Sequence, residues 1–169
     1  MDLTLKGKTA IVTGGGSNIA RSIVMTMAEE GANVAIFDID QAAAQAVVTQ
    51  VREGGASGRV EAYPTDVTDR QQVEDSIRRV VEDYGQVHIL VNGVGWDQMG
   101  AFLDQTPEFH DKIVDLNYMG SLRCMRAVLP HMVERGYGRI VSLGSDAGRM
   151  GEFHEAVYSG AKAAVMALT

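Results

Sequence analysis

Five short apolar runs, each closed by turn residues and separated by longer stretches of helical period, constrain this chain more than any other feature. The runs fall at Thr9 to Thr13, Asn33 to Asp38, Val60 to Pro64, His88 to Asn92 and Arg139 to Leu143. Each is short and mostly apolar, as a strand covered on both faces should be. Helical spacing of apolar residues predicts helices over Ile19 to Glu30, Gln41 to Glu53, Thr68 to Tyr84 and an unusually long one over Glu108 to Arg135. A final helix begins near Val157. Gly31, Gly54, Gly85 and Gly136 stand where helices should stop. Thr68, with Gln71 three residues later, reads as a capping box, and Thr106-Pro107 opens the fourth helix. This alternation is the signature of βαβ units, so the expected fold is a doubly wound α/β domain on a parallel sheet. With 169 residues, 46% of them hydrophobic, and no linker, low-complexity run or fixed-period repeat, one domain spanning 1–169 is expected.

The stretch TGGGSNIA, Thr13 to Ala20, joins the first run to the first helix. A turn that binds pyrophosphate needs permissive backbone angles, available N–H groups and a following helix whose positive end faces the phosphates. Gly14, Gly15 and Gly16 supply the first two. Asn18 stands where a second glycine is usual, and asparagine is the residue next most willing to enter the left-handed region. Ala20 replaces a further glycine, and its methyl costs closeness of helix to strand. A tight turn without a ligand is the competing reading of the loop alone. Twenty residues after Asn18, Asp38 closes the second run, where a carboxylate can accept hydrogen bonds from ribose hydroxyls and repel a 2′-phosphate. That favours NAD over NADP. Asp40 is better placed than Asp38 to cap the second helix. Asp66, after the third run, is either a contact for an adenine amino group or a plain turn aspartate, with Thr68 taken as the helix cap.

Further along, Tyr158 and Lys162 lie four apart on the final helix and share a face. Ser145 follows the run RIVSL, at the carboxyl end where open α/β sheets bind ligands. An ammonium beside a phenol stabilises the phenolate, whose unperturbed pKa is about 10. Asn117 sits beside the apolar stripe Phe109, Ile113, Leu116 and Cys124, so its amide needs a partner, which a kink and a bound water would provide. The competing reading is a solvent-facing helix asparagine.

In this order, these features resemble the short-chain dehydrogenase/reductase family from the first strand to the last residue. TGGGSNIA resembles the family's TGxxxGxG turn, VNGVG its NNAG strand end, DLNYMGSL its asparagine-bearing helix, GRIVSLGS its serine strand, and YSGAK its YxxxK motif. The resemblance implies a Rossmann fold and an NAD(H)-dependent oxidoreductase acting on a secondary alcohol or ketone. Tyr158 would be the general acid/base and Ser145 the group orienting the substrate oxygen. Lys162 would hold the nicotinamide ribose and lower the tyrosine pKa, and Asn117 would complete a proton relay. NAD would be held by Gly14, Gly16, Ser17, Asn18, Ile19, Asp38, Asp66, Val67, Asn92 and Gly93, with Tyr158 and Lys162. The GWD stretch, SDAGRMG and EAVYSGAK most resemble 2-hydroxycyclohexanecarboxyl-CoA dehydrogenases and 3-oxoacyl reductases, which implies an alicyclic or acyl-thioester hydroxy substrate. Subunits would pair through the long fourth helix and the final helix into a homotetramer. The pattern departs from the family at Asn18, Gly93 and Val94, the last crowding a position near the cofactor.

A formal charge of -7 without a Lys/Arg cluster argues against nucleic acid or an anionic membrane as partner. The one cysteine, Cys124, fits a reducing compartment and reads as core; with no leader-like start, the cytoplasm is the expected location. His88, His110 and His131 read as structural or exposed and no metal-ligand spacing is present, while His154 and Trp96 lie where substrate contact competes with packing. Two rival readings stay open: a non-catalytic Rossmann sensor or scaffold with a weakened cofactor site, and a lyase keeping the Ser/Tyr pair. The run AKAAVMALT is apolar and helical to its last residue, so the chain is expected to be a fragment lacking further strands.

Overall fold

A computed structural model describes residues 3–168. Five strands, β1 (Thr9–Thr13), β2 (Asn33–Asp38), β3 (Val60–Pro64), β4 (Ile89–Asn92) and β5 (Arg139–Ser142), form one parallel sheet in the order β3-β2-β1-β4-β5. Alternate side chains of the central strands feed separate cores. Ala10, Val12, Val34 and Ile36 pack under α1 (Asn18–Glu29) and α2 (Gln41–Glu53). Ile11, Ala35, Phe37 and Leu90 pack under α3 (Arg70–Tyr84) and α5 (Gly120–Arg135). With period-two pleating and a helix layer on each face, neither set of side chains reaches water, which is why these strands carry no polar alternation. The chain order reverses between β1 and β4, and a crevice opens beyond their carboxyl ends.

Several helix boundaries differ from expectation for identifiable reasons. Asp69, rather than Thr68, caps α3, accepting from the N–H groups of Gln71 and Gln72 at 2.8 and 3.1 Å. Thr68 is diverted, because its N–H and hydroxyl both donate to Asp66 Oδ1 at 2.8 and 2.7 Å. His88 lies outside β4, its Nδ1 accepting from the Thr9 N–H at 2.9 Å. The long fourth helix is two helices, α4 (Pro107–Val114) and α5, joined by a π-turn over Asp115–Met119. Short turns at Phe102–Asp104 and Ala147–Met150 (α6) precede α4 and α7 (Ala156–Leu168). Gly31, Gly85 and Gly136 take the left-handed angles of helix stops, whereas Gly54 stays right-handed and Gly55 makes the turn. Thr106 Oγ1 accepts from the Phe109 N–H at 3.2 Å, with Pro107 following at the first helical position. No helix among the described residues is long and apolar enough to cross a membrane.

Candidate active site

The loop after β1 turns at Gly14, with φ +70°, and at Asn18, with φ +49°, the left-handed conformation expected of that asparagine. A side chain at Gly14 would be strained by the positive φ and crowded as well, since a Cβ there would lie 3.3 Å from Val94. A Cβ on Gly16 would lie 2.8 Å from Asp38 Oδ2, the atom that accepts from the Gly16 N–H at 2.8 Å. The other Asp38 oxygen accepts from the Asp40 N–H at 2.9 Å, so two backbone donors fix the carboxylate at the crevice wall. Asp40 itself caps α2 through the Ala43 N–H. Ser17 stands at the N-cap of α1 without bonding the helix's first N–H groups through its side chain. That leaves the positive helix end facing the crevice, as an anionic phosphate would require.

Two departures from the family pattern meet across this loop. A Cβ on Gly93 would fall 2.5 Å from the Thr13 carbonyl oxygen and 2.8 Å from Ala20 Cβ. The Ala20 methyl thus occupies room that only a glycine at 93 leaves open. The Thr13 hydroxyl accepts from the N–H groups of Gly93 and Val94 at 3.0 and 3.3 Å, locking the ends of β1 and β4 together.

The crevice encloses about 500 Å³ and is walled by Gly14 and Ser17 to Ala20 on one side, Asp38, Ile39 and Thr65 to Val67 on another, and Gly93 to Trp96, Tyr158 and Lys162 deeper in. Asp66 is on this wall but is not unengaged, since one of its oxygens holds Thr68. Asn92 is buried behind the wall, its Nδ2 donating to Ser142 Oγ at 3.2 Å and its Oδ1 buried with no hydrogen-bond partner. The stacked glycines, bound carboxylate and uncapped helix end fit a dinucleotide.

Asn117 is fully buried in the π-turn, contrary to the solvent-facing alternative. Its partner is backbone: Nδ2 donates to the Trp96 carbonyl at 2.7 Å and the Ile113 carbonyl at 3.0 Å, and Oδ1 accepts from the Trp96 N–H at 3.1 Å. Lys162 is only 4% exposed, and its Nζ donates to the Leu143 carbonyl at 3.0 Å and lies 5.7 Å from the Tyr158 ring centre. Gly95 runs between the Lys162 amine and the Asn117 amide; a Cβ there would stand 3.1 Å from Lys162 Nζ and 3.2 Å from Asn117 Oδ1. Ser145, just beyond β5, accepts from the Ala147 N–H at 3.2 Å and lies near enough to the Tyr158 phenol to pull its pKa down. The structure therefore gathers Asn117, Ser145, Tyr158 and Lys162 around one end of the crevice. Sequence reasoning missed Gly95, the Trp96 backbone and the Leu143 carbonyl, because backbone contacts leave no residue-type signal.

Burial holds the Tyr158 phenol above its ordinary pKa; Ser145 opposes this, and the carboxylates of Glu155 and Asp97 add to it. Burial pushes the Lys162 ammonium below its ordinary value. Desolvation opposes the expected lowering of the tyrosine. His154 has φ +66°, is exposed and meets the Phe153 ring edge-on, its carbonyl accepting from the Gly100 N–H. The Trp96 ring packs against Phe109 and carries Lys112 Nζ 4.1 Å from its centre. His110 stacks on Phe102, and Cys124 is buried with its thiol pushed up by desolvation, as a core residue. Among the described residues, no group of His, Cys, Asp or Glu could hold a metal ion.

The sequence profile described as short chain dehydrogenase matches residues 8–169. This chain belongs to the short-chain dehydrogenase family. It is 30% identical over 167 residues to the 3-oxoacyl-(acyl-carrier-protein) reductase FabG of Thermotoga maritima, covering 99% of this chain and 67% of that protein. With the sorbitol dehydrogenase of Cereibacter sphaeroides it shares 34% identity over 168 residues, 99% of this chain and 64% of the relative. The structure of an NAD+-bound xylitol dehydrogenase superposes with a TM-score of 0.92 at 32% identity, over 98% of this chain and 63% of that one. The chain thus spans about two-thirds of the length of these short-chain dehydrogenases, and all three likenesses cover the sheet and the crevice just described.

Proposed function

We propose that the protein interconverts a secondary alcohol and a ketone with NAD(H). The observation that carries this reading is the placement of Tyr158 and Lys162 on the crevice wall, with Ser145 beside the phenol and the glycine loop opposite. When bound, the nicotinamide would supply or accept hydride. Tyr158 moves the proton at the substrate oxygen, and Ser145 donates a hydrogen bond that orients that oxygen. Lys162, anchored on Leu143, would hold the nicotinamide ribose with its remaining N–H groups. Asn117 fixes the Trp96 backbone at the edge of the site, and it would complete a proton relay with Lys162. Asp38 would accept from the adenine-side ribose hydroxyls and repel a 2′-phosphate, which favours NAD over NADP. Gly14, Gly16, Ser17, Asn18 and Ile19 would hold the pyrophosphate, Asp66 and Val67 the adenine, and Asn92 and Gly93 the nicotinamide side.

The relatives' names span a 3-oxoacyl thioester and two polyols. An acyl-thioester or alicyclic hydroxy compound is the proposed substrate. A cytoplasmic homotetramer is the proposed assembly, supported by exposed Leu129 and Val133 on α5 and Met166 on α7, apolar faces that a second subunit would cover. The test is Tyr158→Phe: with NADH and acetoacetyl-coenzyme A, turnover should fall by about 10² to 10⁴ while NADH affinity stays within experimental error. Wild-type turnover in the Phe variant would refute the mechanism.

A further inference from the structure

The ion pair between Arg123 and Asp115 spans the π-turn in a way a regular helix disfavours. Arg123 Nη2 lies 2.6 Å from Asp115 Oδ1, although the two residues are eight apart. On an unbroken α-helix that interval turns the side chains about 80° apart and separates them by roughly 12 Å along the axis. The extra residue admitted by the π-turn makes eight positions behave as about seven, closing the angle to roughly 20° and the rise to roughly 10.5 Å, within reach of an arginine and an aspartate. The pair forms without full extension of both side chains only while the turn is wide.

The same guanidinium reaches sideways. Arg123 Nη1 lies 3.5 Å from the Val67 carbonyl oxygen, on the loop that walls the crevice. Next to it the first turn of α5 is pressed on that loop, since a Cβ on Gly120 would stand 2.8 Å from Val67 Cγ2. Asp69, which caps α3, is held below its usual range first by the Gln72 N–H and side chain, with Arg123 adding its charge. The Arg123 side chain is 17% exposed and that of Asp115 39%, so the pair is partly sheltered from solvent and can bias the local geometry of the turn. What it does is hold a geometry.

Inside the turn so held sits Asn117, whose amide grips the Trp96 backbone at both its N–H and its carbonyl. We propose that Arg123 is a positioning residue: its ion pair with Asp115 keeps the π-turn open and so holds Asn117, and through it the Gly95-Trp96 backbone, in register with Lys162. Its effect on catalysis rests on the oxidoreductase reading; its effect on the turn does not.

The test is a double-mutant cycle on turnover with NADH and acetoacetyl-coenzyme A. Arg123→Met should lower kcat by about 10- to 100-fold, the loss expected when a reacting array is displaced by about 1 Å. In an Asn117→Ala background the same substitution should change kcat less than twofold, because the residue it positions is gone. Asp115→Asn should behave as Arg123→Met does and serves if the methionine variant fails to fold. Full loss in both backgrounds would overturn the proposal. If the wild-type protein shows no turnover, the functional reading fails on its own account and amide hydrogen exchange decides. Faster exchange confined to 115–120 in Arg123→Met supports the clasp, and unchanged exchange there overturns it.

Discussion

Tyr158 meets opposing influences, and their balance fixes the pH at which it can act. Burial dominates and, with Glu155 and Asp97, keeps the phenol protonated at neutral pH, while Ser145 pulls the other way. The side chain is then poised to give a proton to a ketone at neutral pH, and alcohol oxidation should rise as the pH climbs toward the phenol's raised value. Glu155→Gln removes one of the charges that raises it, so the alkaline limb of kcat/KM for alcohol oxidation should move to lower pH; a limb that stays put or moves up contradicts the assignment. Tyr158, Lys162 and Ser145 were legible in the sequence because a four-residue helical spacing and a strand end carry their own geometry. The carboxylates that oppose them were not, since Asp97 and Glu155 come from loops whose approach no spacing encodes.

Each discrepancy between expected and observed elements is a competition that residue types alone leave undecided. Thr68 and Asp69 are both good caps, and the choice fell to Asp69 because Asp66 captured both donors of Thr68. The π-turn escaped notice because one extra residue shifts the apolar stripe without ending it. At the far end of the sheet, His88 Nδ1 accepts from the Thr9 N–H and so must be unprotonated. Burial, helped by Lys8, lowers its pKa below the ordinary 6.5. The unfolded chain then takes up a proton first as the pH falls. This contribution to stability is therefore present above pH 6.5 and lost below it, down through the lowered folded value. Urea melts at pH 5 and 7.5 should show a loss at the lower pH that is smaller in His88→Phe; an equal loss in both would reject the assignment. Between β1 and β4, Gly93→Ala should cost about 1–3 kcal/mol from overpacking against Ala20 and Thr13. Adding Ala20→Gly should bring less than its own separate cost, so the two changes should be non-additive by roughly 0.5 kcal/mol or more in denaturant melts. Strict additivity would mean the two residues do not share that space.

The doubly wound fold was the most legible feature, because mostly apolar runs between helices point to strands covered on both faces, as β1, β2 and β4 are, although β5 at the sheet edge is left partly exposed. Periodicity does not order the strands, however, and the β3-β2-β1-β4-β5 order is what puts the ends of β1 and β4 side by side. That adjacency brings the glycine loop, Asp38, Gly93 and the Tyr158–Lys162 face to one crevice, though they are scattered over the chain. It also changes the meaning of the altered motifs: Asn18 takes the left-handed angles a glycine would, and Ala20 and Gly93 exchange bulk across one contact. Read singly they look like decay, but together they preserve the shape of the loop. If that shape is a working dinucleotide site, calorimetric titration of the protein with NADH should show one site per chain. NADPH should bind at least about tenfold more weakly, a difference of about 1.4 kcal/mol that repulsion between Asp38 and a 2′-phosphate supplies. Absence of NADH binding, or tighter binding of NADPH, would contradict the account.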